Sequence, residues 1–118
     1  DIIHPEMCEM PKIYSQAFLT YVPTMWSEGT SLSAIESICS GCPALVTDVG
    51  GLGNIIIPNF NGDILPYSVE EFVYKTVNLI EHPEIRNRWS QNCQYLRDAL
   101  DVKRWNEKLK NIIECVSK

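Results

Sequence analysis

Residues 18–51 read FLTYVPTMWSEGTSLSAIESICSGCPALVTDVGG. The opening run, Phe18-Leu19-Thr20-Tyr21-Val22, is dense in aromatic and β-branched residues and stops at Pro23, which predicts a buried strand. Residues 25–30 contain Ser27, Gly29 and Thr30 and predict a loop. Over residues 31–40, Leu32, Ile35, Ile38 and Cys39 recur at helical spacing, an apolar stripe suited to packing on a sheet. Thr30 or Ser31 is the candidate N-cap. Gly41 stops the helix, and Pro43 follows just beyond it. Ala44-Leu45-Val46-Thr47 is a second short buried strand, and residues 48–53 form a glycine-rich turn. Short apolar strands alternating with a helix indicate a parallel sheet covered by helices, with a right-handed crossover.

Outward from this stretch, residues 11–17 predict a short helix with Pro11 in its first turn. Downstream, Ile55-Ile56-Ile57 is a third apolar run, bounded by Pro58 and Asn61-Gly62, and residues 63–66 predict a brief strand. From Ser68 the chain turns helical. Ser68 with Glu71 three residues later is a capping-box signature, and Phe72, Val73, Thr76, Val77 and Ile80 are expected to form that helix's buried face. His82-Pro83 breaks it. Residues 83–100 predict a further helix with Ile85, Trp89, Cys93 and Leu96 in line. Residues 102–116 predict a last one with Trp105, Leu109, Ile112, Ile113 and Val116. Two to four strands do not complete a parallel sheet, so further strands are expected upstream. Asp1-Ile2-Ile3-His4 also reads as mid-chain text. The expectation is one partial domain over residues 1–118, with a helical C-terminal segment.

The chain has 118 residues and a formal net charge of −5, from 10 basic and 15 acidic residues. That balance, without a basic run, argues against nucleic acid as a partner. Hydrophobic residues at 45% and charged residues at 21% describe a globular rather than a disordered chain. No apolar run reaches the ~20 residues of a membrane-spanning helix. The five cysteines are odd in number and irregular in spacing, which fits a reducing, cytoplasmic compartment better than a disulfide framework. Cys39-Ser40-Gly41-Cys42 is formally a C-x-x-C. No second ligand pair accompanies it, and it closes a helix rather than opening one, so packing cysteines are the expectation over a redox or zinc pair. No metal site is expected.

The chemistry concentrates in residues 28–36, Glu28-Gly29-Thr30-Ser31-Leu32-Ser33-Ala34-Ile35-Glu36. A loop leading from a strand into a helix lies at the carboxyl edge of a parallel sheet, where ligands bind. The helix start offers unpaired N–H groups and a positive dipole end. Gly29 and the small residues Thr30 and Ser31 let an anion approach that backbone, and a diphosphate suits the place. Glu28 and Glu36 stand eight residues apart, up to about 12 Å of helical rise. A carboxylate accepts paired hydrogen bonds from vicinal hydroxyls. The arrangement therefore suits a ligand with a diol at each end and a diphosphate between, which is a nucleotide sugar. The spacing alone is also met by a loop carboxylate and a solvated helix glutamate. A non-catalytic nucleotide- or protein-binding module on the same scaffold is the alternative from another class. Of the remaining candidates, His4 is uninformative and His82 is a loop residue at a helix break. Trp26 either lines the pocket or packs, Trp89 and Trp105 are core or docking residues, and Asp48 is a turn residue.

The residues from Tyr21 to Gly51 resemble the retaining, nucleotide-sugar-dependent glycosyltransferases of the GT-B fold known as group 1 or family 4. Glu28 and Glu36 match the family's E-x7-E motif, and Glu28-Gly29 its Glu-Gly pair. Gly41, Pro43 and Thr47-Asp48-Val49-Gly50-Gly51 match the family's helix stop and its T-D-x-G-G turn. The likeness extends to residues 10–17, to Asn61-Gly62-Asp63-Ile64-Leu65 and to the C-terminal helices, hence to nearly the whole chain. It implies the C-terminal, donor-binding, Rossmann-like half of a GT-B enzyme, incomplete here. It implies that Glu28 is the catalytic-site carboxylate on the transferred sugar's hydroxyls. Gly29 and the backbone of Thr30, Ser31 and Leu32 would hold the diphosphate, and Glu36 the ribose. It implies transfer with retention, no obligatory metal and no cofactor beyond the nucleotide sugar, and a setting such as polysaccharide biosynthesis. The acceptor would sit largely on a separate N-terminal domain, through which any membrane association of the intact enzyme would come. The last helix would pack back toward that domain, so its apolar side is expected uncovered here. Three departures stand out. Thr30-Ser31 replaces a common Phe-Gly, Phe18 replaces an acidic residue after Ala17, and Asn54 replaces a glutamate. The family's basic pair for the donor phosphates belongs upstream of Asp1.

Overall fold

The computed structural model describes residues 2–26 and 29–118. A 3-10 turn at Met7–Glu9 runs into helix α1 (Met10–Gln16), followed by strand β1 (Thr20–Val22), helix α2 (Leu32–Cys39) and strand β2 (Ala44–Thr47). A 3-10 turn over Gly50–Asn54 precedes strand β3 (Gly62–Leu65). Three helices complete the chain, α3 (Val69–Glu81), α4 (Pro83–Ala99) and α5 (Val102–Val116). The sheet has the order β1-β2-β3 and is parallel throughout, with Thr20 opposite Ala44 and Val22 opposite Val46 on one side of β2. On the other side Ala44 faces Gly62 and Thr47 faces Leu65. The α/β architecture expected from residues 18–51 is thus present.

β2 is buried along its whole length, because it is the central strand and helices cover it. Its alternation divides the core. Ala44 and Val46 join Ala34, Ile38, Ile56 and Cys93 in one cluster, while Leu45 joins Leu79 and Trp89 in the other. α4 feeds both clusters, since Trp89 and Cys93 lie four residues apart on its buried stripe.

α2 ends as its sequence demands. Gly41 adopts φ +85°, a left-handed conformation that a side chain disfavours. Its N–H reaches the Ile38 carbonyl, and the Cys42 N–H reaches the Ser37 carbonyl, both at 3.0 Å, which is the Schellman pattern. The Ser90 hydroxyl then donates to the Gly41 carbonyl at 2.6 Å, tying the helix end to α4. Inside α2, the buried Ser37 hydroxyl lies 2.8 Å from both Thr20 Oγ1 and the Cys42 carbonyl oxygen, so one side chain joins β1, α2 and the turn into β2.

Four expectations need correction. The strand over residues 18–22 is only Thr20–Val22 and is half-buried rather than buried. Just before it, the Ala17 and Phe18 carbonyls are taken by Arg86, both at 2.9 Å, which turns the chain out of strand geometry. Tyr21 is exposed on the sheet face opposite to Thr20 and Val22, where its ring lies beside Phe72 and its hydroxyl 2.9 Å from Thr76 Oγ1. The run 55–57 is not a strand: the Ile55 and Ile56 amides both reach the Leu52 carbonyl, closing the preceding turn, and Ile55 and Ile56 enter the core while Ile57 is exposed.

On α3 the buried residue is Leu79, whereas Val73, Val77 and Ile80 are exposed, because the helix rolls its Leu79 edge onto Trp89 and Leu45. The capping box there is half made. Ser68 Oγ accepts from the Glu71 amide, but the glutamate returning to Ser68 is Glu70, through the hydroxyl at 2.9 Å. α5 carries its apolar stripe uncovered, Trp105 and Ile112 included, and its N-cap Asp101 accepts from the Lys103 and Arg104 amides. Among the described residues, no helix is long and apolar enough to cross a membrane.

Candidate functional site

The three strands run the same way, so the loops after β1, β2 and β3 gather at one edge of the sheet. Ser31, at the end of the first loop, is buried and has extended geometry, and its side chain accepts from the Ala34 amide at 3.2 Å. That bond satisfies the third amide of α2. It leaves the amides of Leu32 and Ser33 at the open helix end, where backbone N–H groups and the helix dipole favour an anion. Thr30 and the Leu32 side chain are exposed beside them.

Gly29 faces open space: a Cβ built there meets nothing within 4 Å, so a ligand has free approach to its backbone. The loop after β2 fixes its position. The Gly51 N–H donates to the Gly29 carbonyl at 3.1 Å. A second tie sits one layer below, where the Thr47 hydroxyl donates to the Thr24 carbonyl at 2.6 Å. The loop after β1 is therefore tied at two points, to the end of β2 and to the loop that follows β2.

Glu36 lies four residues into the helix from Leu32, about 6 Å of rise. Because α2 begins only at Leu32, the full twelve-ångström estimate for residues 28–36 overstates the helical part. Glu36 is partly buried beside α1, where Tyr14 comes close. The Tyr14 phenol is pushed up from its ordinary value, first by burial and then by the negative charge of Glu36, with the Ser33 hydroxyl acting the other way through a hydrogen bond. Tyr14 thus flanks Glu36. The sequence offered only its place on the α1 stripe as a hint. Glu28, the other carboxylate of the pair, lies outside the described residues, as does Ser27. The structure thus brings together Gly29, Thr30, Ser31, Leu32 and Glu36 along one loop and helix start.

A cavity of about 540 Å³ opens at the same edge, between the loops that follow β1, β2 and β3. Asp48 and Tyr67 are on its wall. Sequence reading placed Asp48 in a turn, and so it is, but the turn is closed by the backbone bond from the Val49 amide to the Thr47 carbonyl rather than by the aspartate.

The other candidates lie elsewhere. His82 sits between α3 and α4 with its Nδ1 3.5 Å from Glu84, and His4 is exposed near the start. Trp89 is in the core, whereas Trp105 and Trp26 are exposed. The C-x-x-C is a packing feature: Cys42 is buried with its thiol toward the Ala17 and Pro43 carbonyls, and Cys39 is free. Burial raises the Cys39 thiol rather than lowering it, the wrong direction for a redox nucleophile. Among the described residues, no group of three His, Cys, Asp or Glu side chains is placed to hold a metal ion.

Known proteins share this architecture. Sucrose-phosphate synthase from Thermosynechococcus elongatus superposes with a TM-score of 0.75 at 23% identity, over 88% of this chain and 26% of that one. HepE from Anabaena, solved in complex with UDP, superposes with a TM-score of 0.79 at 18% identity, over 89% of this chain and 29% of HepE. The C-terminal domain of the group 1 glycosyl transferase LpcC from Francisella tularensis gives a TM-score of 0.72 at 25% identity, over 85% of this chain and 51% of that structure. An uncharacterised glycosyltransferase of Methanocaldococcus jannaschii is 34% identical over 70 residues, which span 56% of this chain and 19% of the relative. The chain therefore spans a minor part of that relative and about a quarter to a half of these structures. The family model described as "Glycosyl transferases group 1" matches residues 3–95, and the chain belongs to that family.

Proposed function

We propose that this chain is the donor-binding part of a retaining glycosyltransferase that takes a nucleotide-diphosphate sugar. The observation that carries the reading is the start of α2. Ser31 caps the helix, Gly29 opens onto free space, and Glu36 stands one turn further along. The diphosphate would lie at the Leu32 and Ser33 amides, with Gly29 and Thr30 beside it. The ribose diol would reach Glu36, with Tyr14 at its flank, and the transferred sugar would meet Glu28. HepE has been solved with UDP and with UDP-glucose, which supports a nucleotide sugar as the ligand class for this chain.

The phosphates are held mainly by backbone dipoles in this arrangement, so the acidic balance of the chain does not oppose them. Charge-assisted bonds would add to the affinity, and the family's basic pair would supply them from outside this chain. The acceptor would bind largely on another domain, and transfer requires both. No metal or further cofactor enters the proposal.

Ligand-observed NMR against UDP-, GDP- and ADP-sugars tests the reading. One nucleotide series should show saturation transfer to its ribose protons, and Glu36→Ala should abolish it at the same concentrations. Absence of transfer in all three series, or equal transfer in the variant, overturns the assignment.

A further inference from the structure

Strand β1 has a free edge. It pairs with β2 and, among the described residues, with no other strand. The Thr20 amide donates to the Pro43 carbonyl at 3.0 Å, toward β2. Successive residues of a parallel strand bond to opposite sides, so the Tyr21 N–H and C=O point to the free edge. Unpaired backbone of this kind is a template for a further strand. The same side of the molecule is apolar. A groove of about 430 Å³ lies between the Tyr21 and Pro23 end of β1 and helix α3. Its α3 wall is Val69, Val73 and Val77, four residues apart in one stripe and 75, 56 and 45% exposed. α3 thus has two apolar faces: its Leu79 edge packs on Leu45 and Trp89, and its valine stripe borders the groove. Tyr21 is the register partner of Leu45, so the groove lies on the sheet face opposite to α2, whose Ala34 and Ile38 pack with Ala44 and Val46. Parallel sheets carry helices on both faces, and a strand added in parallel arrives with a helical connection.

Length and charge choose the occupant. This chain covers 51% of the LpcC C-terminal domain, so in that protein about as much chain again belongs to the same domain. A second copy of this chain is disfavoured by charge. Lys75 is engaged by Asp63 at 2.6 Å, and the other charged residues of α3 are Glu70, Glu71 and Glu81, so two such faces brought together oppose like charges. We propose that the edge and the groove receive a strand–helix unit of the same polypeptide from outside residues 1–118. Its strand runs parallel to β1 and bonds to the Tyr21 backbone. Its helix is amphipathic and lays its apolar face on Val69, Val73 and Val77. The burial that the apolar period of α3 calls for is then met by that helix. The inference rests on the fold and not on the nucleotide-sugar reading.

The test is made on the intact polypeptide that contains these residues. Hydrogen exchange read residue by residue should find the Tyr21 amide protected, a measurement that needs no variant. A Val73→Cys thiol should react with a soluble thiol reagent on the order of a hundredfold more slowly than in denaturant, at every protein concentration. A Tyr21 amide that exchanges as freely as an unpaired one overturns the added strand. A Val73→Cys thiol that labels as fast as in denaturant overturns the added helix. Protection that appears only as concentration rises, together with a dimer in sedimentation, gives the face to a second copy and overturns the proposal too. Nucleotide binding is read separately on the same protein. A protected groove in a protein that binds no nucleotide leaves this inference standing and removes the donor reading, and nucleotide binding with an open groove does the reverse.

Discussion

Gly51→Ala isolates the contact that holds the loop after β1 at Gly29. A Cβ at this position would sit 2.7 Å from the Gly29 carbonyl oxygen and 3.2 Å from its carbon. Ordinary contact begins at 3.4 Å, so the two backbones must part by about 0.7 Å. The Gly51–Gly29 hydrogen bond, 3.1 Å in the native fold, then stretches past its useful range. The loss of that bond costs about 1 kcal/mol, and crowding adds roughly 1 kcal/mol more, since both loops are partly free to give. Most of this falls on the loop rather than on the core, because the three atoms nearest the new methyl are all backbone atoms of Gly29 and Thr30. Donor binding should suffer more than stability does. Misplacement of a ligand-facing segment by about 1 Å can cost on the order of a hundredfold in catalysis, so a tenfold or greater loss of nucleotide affinity is the expectation. Calorimetric titration with UDP, GDP and ADP reads the affinity, and thermal melting reads the stability. Gly53→Ala is the control in the same loop, since its Cβ meets nothing nearer than 3.9 Å. Nucleotide affinity in Gly51→Ala equal to that of the unaltered chain and of the control would refute the clamp.

In the intact enzyme, Glu28→Ala should abolish nearly all transfer, whereas Glu36→Ala should raise the apparent donor KM about tenfold with a smaller change in kcat, as steady-state kinetics would show. A thiol reagent should label Cys8 and Cys115 quickly and leave Cys42 and Cys93 unreacted until denaturant is added, because the first two are exposed and the second two buried; mass spectrometry after timed quenching reads this. Burial pushes the Cys93 thiol up to about 12 from an ordinary value of 9.0, with the neighbouring Cys42 contributing in the same direction. The folded state therefore keeps a proton that the unfolded chain gives up. This contribution to stability is complete below pH 9 and is lost as pH rises toward 12, so denaturant midpoints should fall over that window and fall less steeply in Cys93→Ala. Gly62→Ala should prevent folding outright, by circular dichroism, because its Cβ would collide with the Ala44 carbonyl of the central strand.

What the sequence made legible is what local chemistry decides. The end of α2 was readable because Gly41 and Pro43 act within one turn of the helix they stop. Its beginning was readable because Ser31 caps three residues ahead. β2 could be placed because Ala44-Leu45-Val46-Thr47 is short, apolar and bounded on both sides. The failures share a cause in distant partners. Phe18 and Leu19 have strand composition, yet Arg86, far along the chain, takes the carbonyls that strand pairing would have used. The stripe on α3 has the right period for burial. Which edge is covered depends on Trp89 and Leu45, and these choose Leu79. Tyr14 beside Glu36 is likewise a meeting of two helices that neither helix's own pattern announces. Asp48 was legible as a turn residue, but that its side chain takes no part in the turn depends on the Val49 amide choosing the Thr47 carbonyl.

The bonds that build this edge of the sheet and the side chains left exposed along it are different sets. Thr47 and Gly51 make their hydrogen bonds to backbone carbonyls, and Ser37 to the Cys42 carbonyl and the Thr20 hydroxyl. Thr30, Leu32, Asp48 and Tyr67 are exposed, and none of them is in the core. A scaffold arranged this way tolerates change in what it binds without loss of fold, because substitutions at exposed positions away from such ties cost little stability. It follows that ligand preference in this chain should be separable from stability by mutation. Exchanges at Thr30 or Leu32 should alter nucleotide affinity while the melting temperature stays put. Exchanges at Thr47 or Ser37 should lower the melting temperature and weaken every ligand alike. A variant panel in which these two responses track one another would contradict that division.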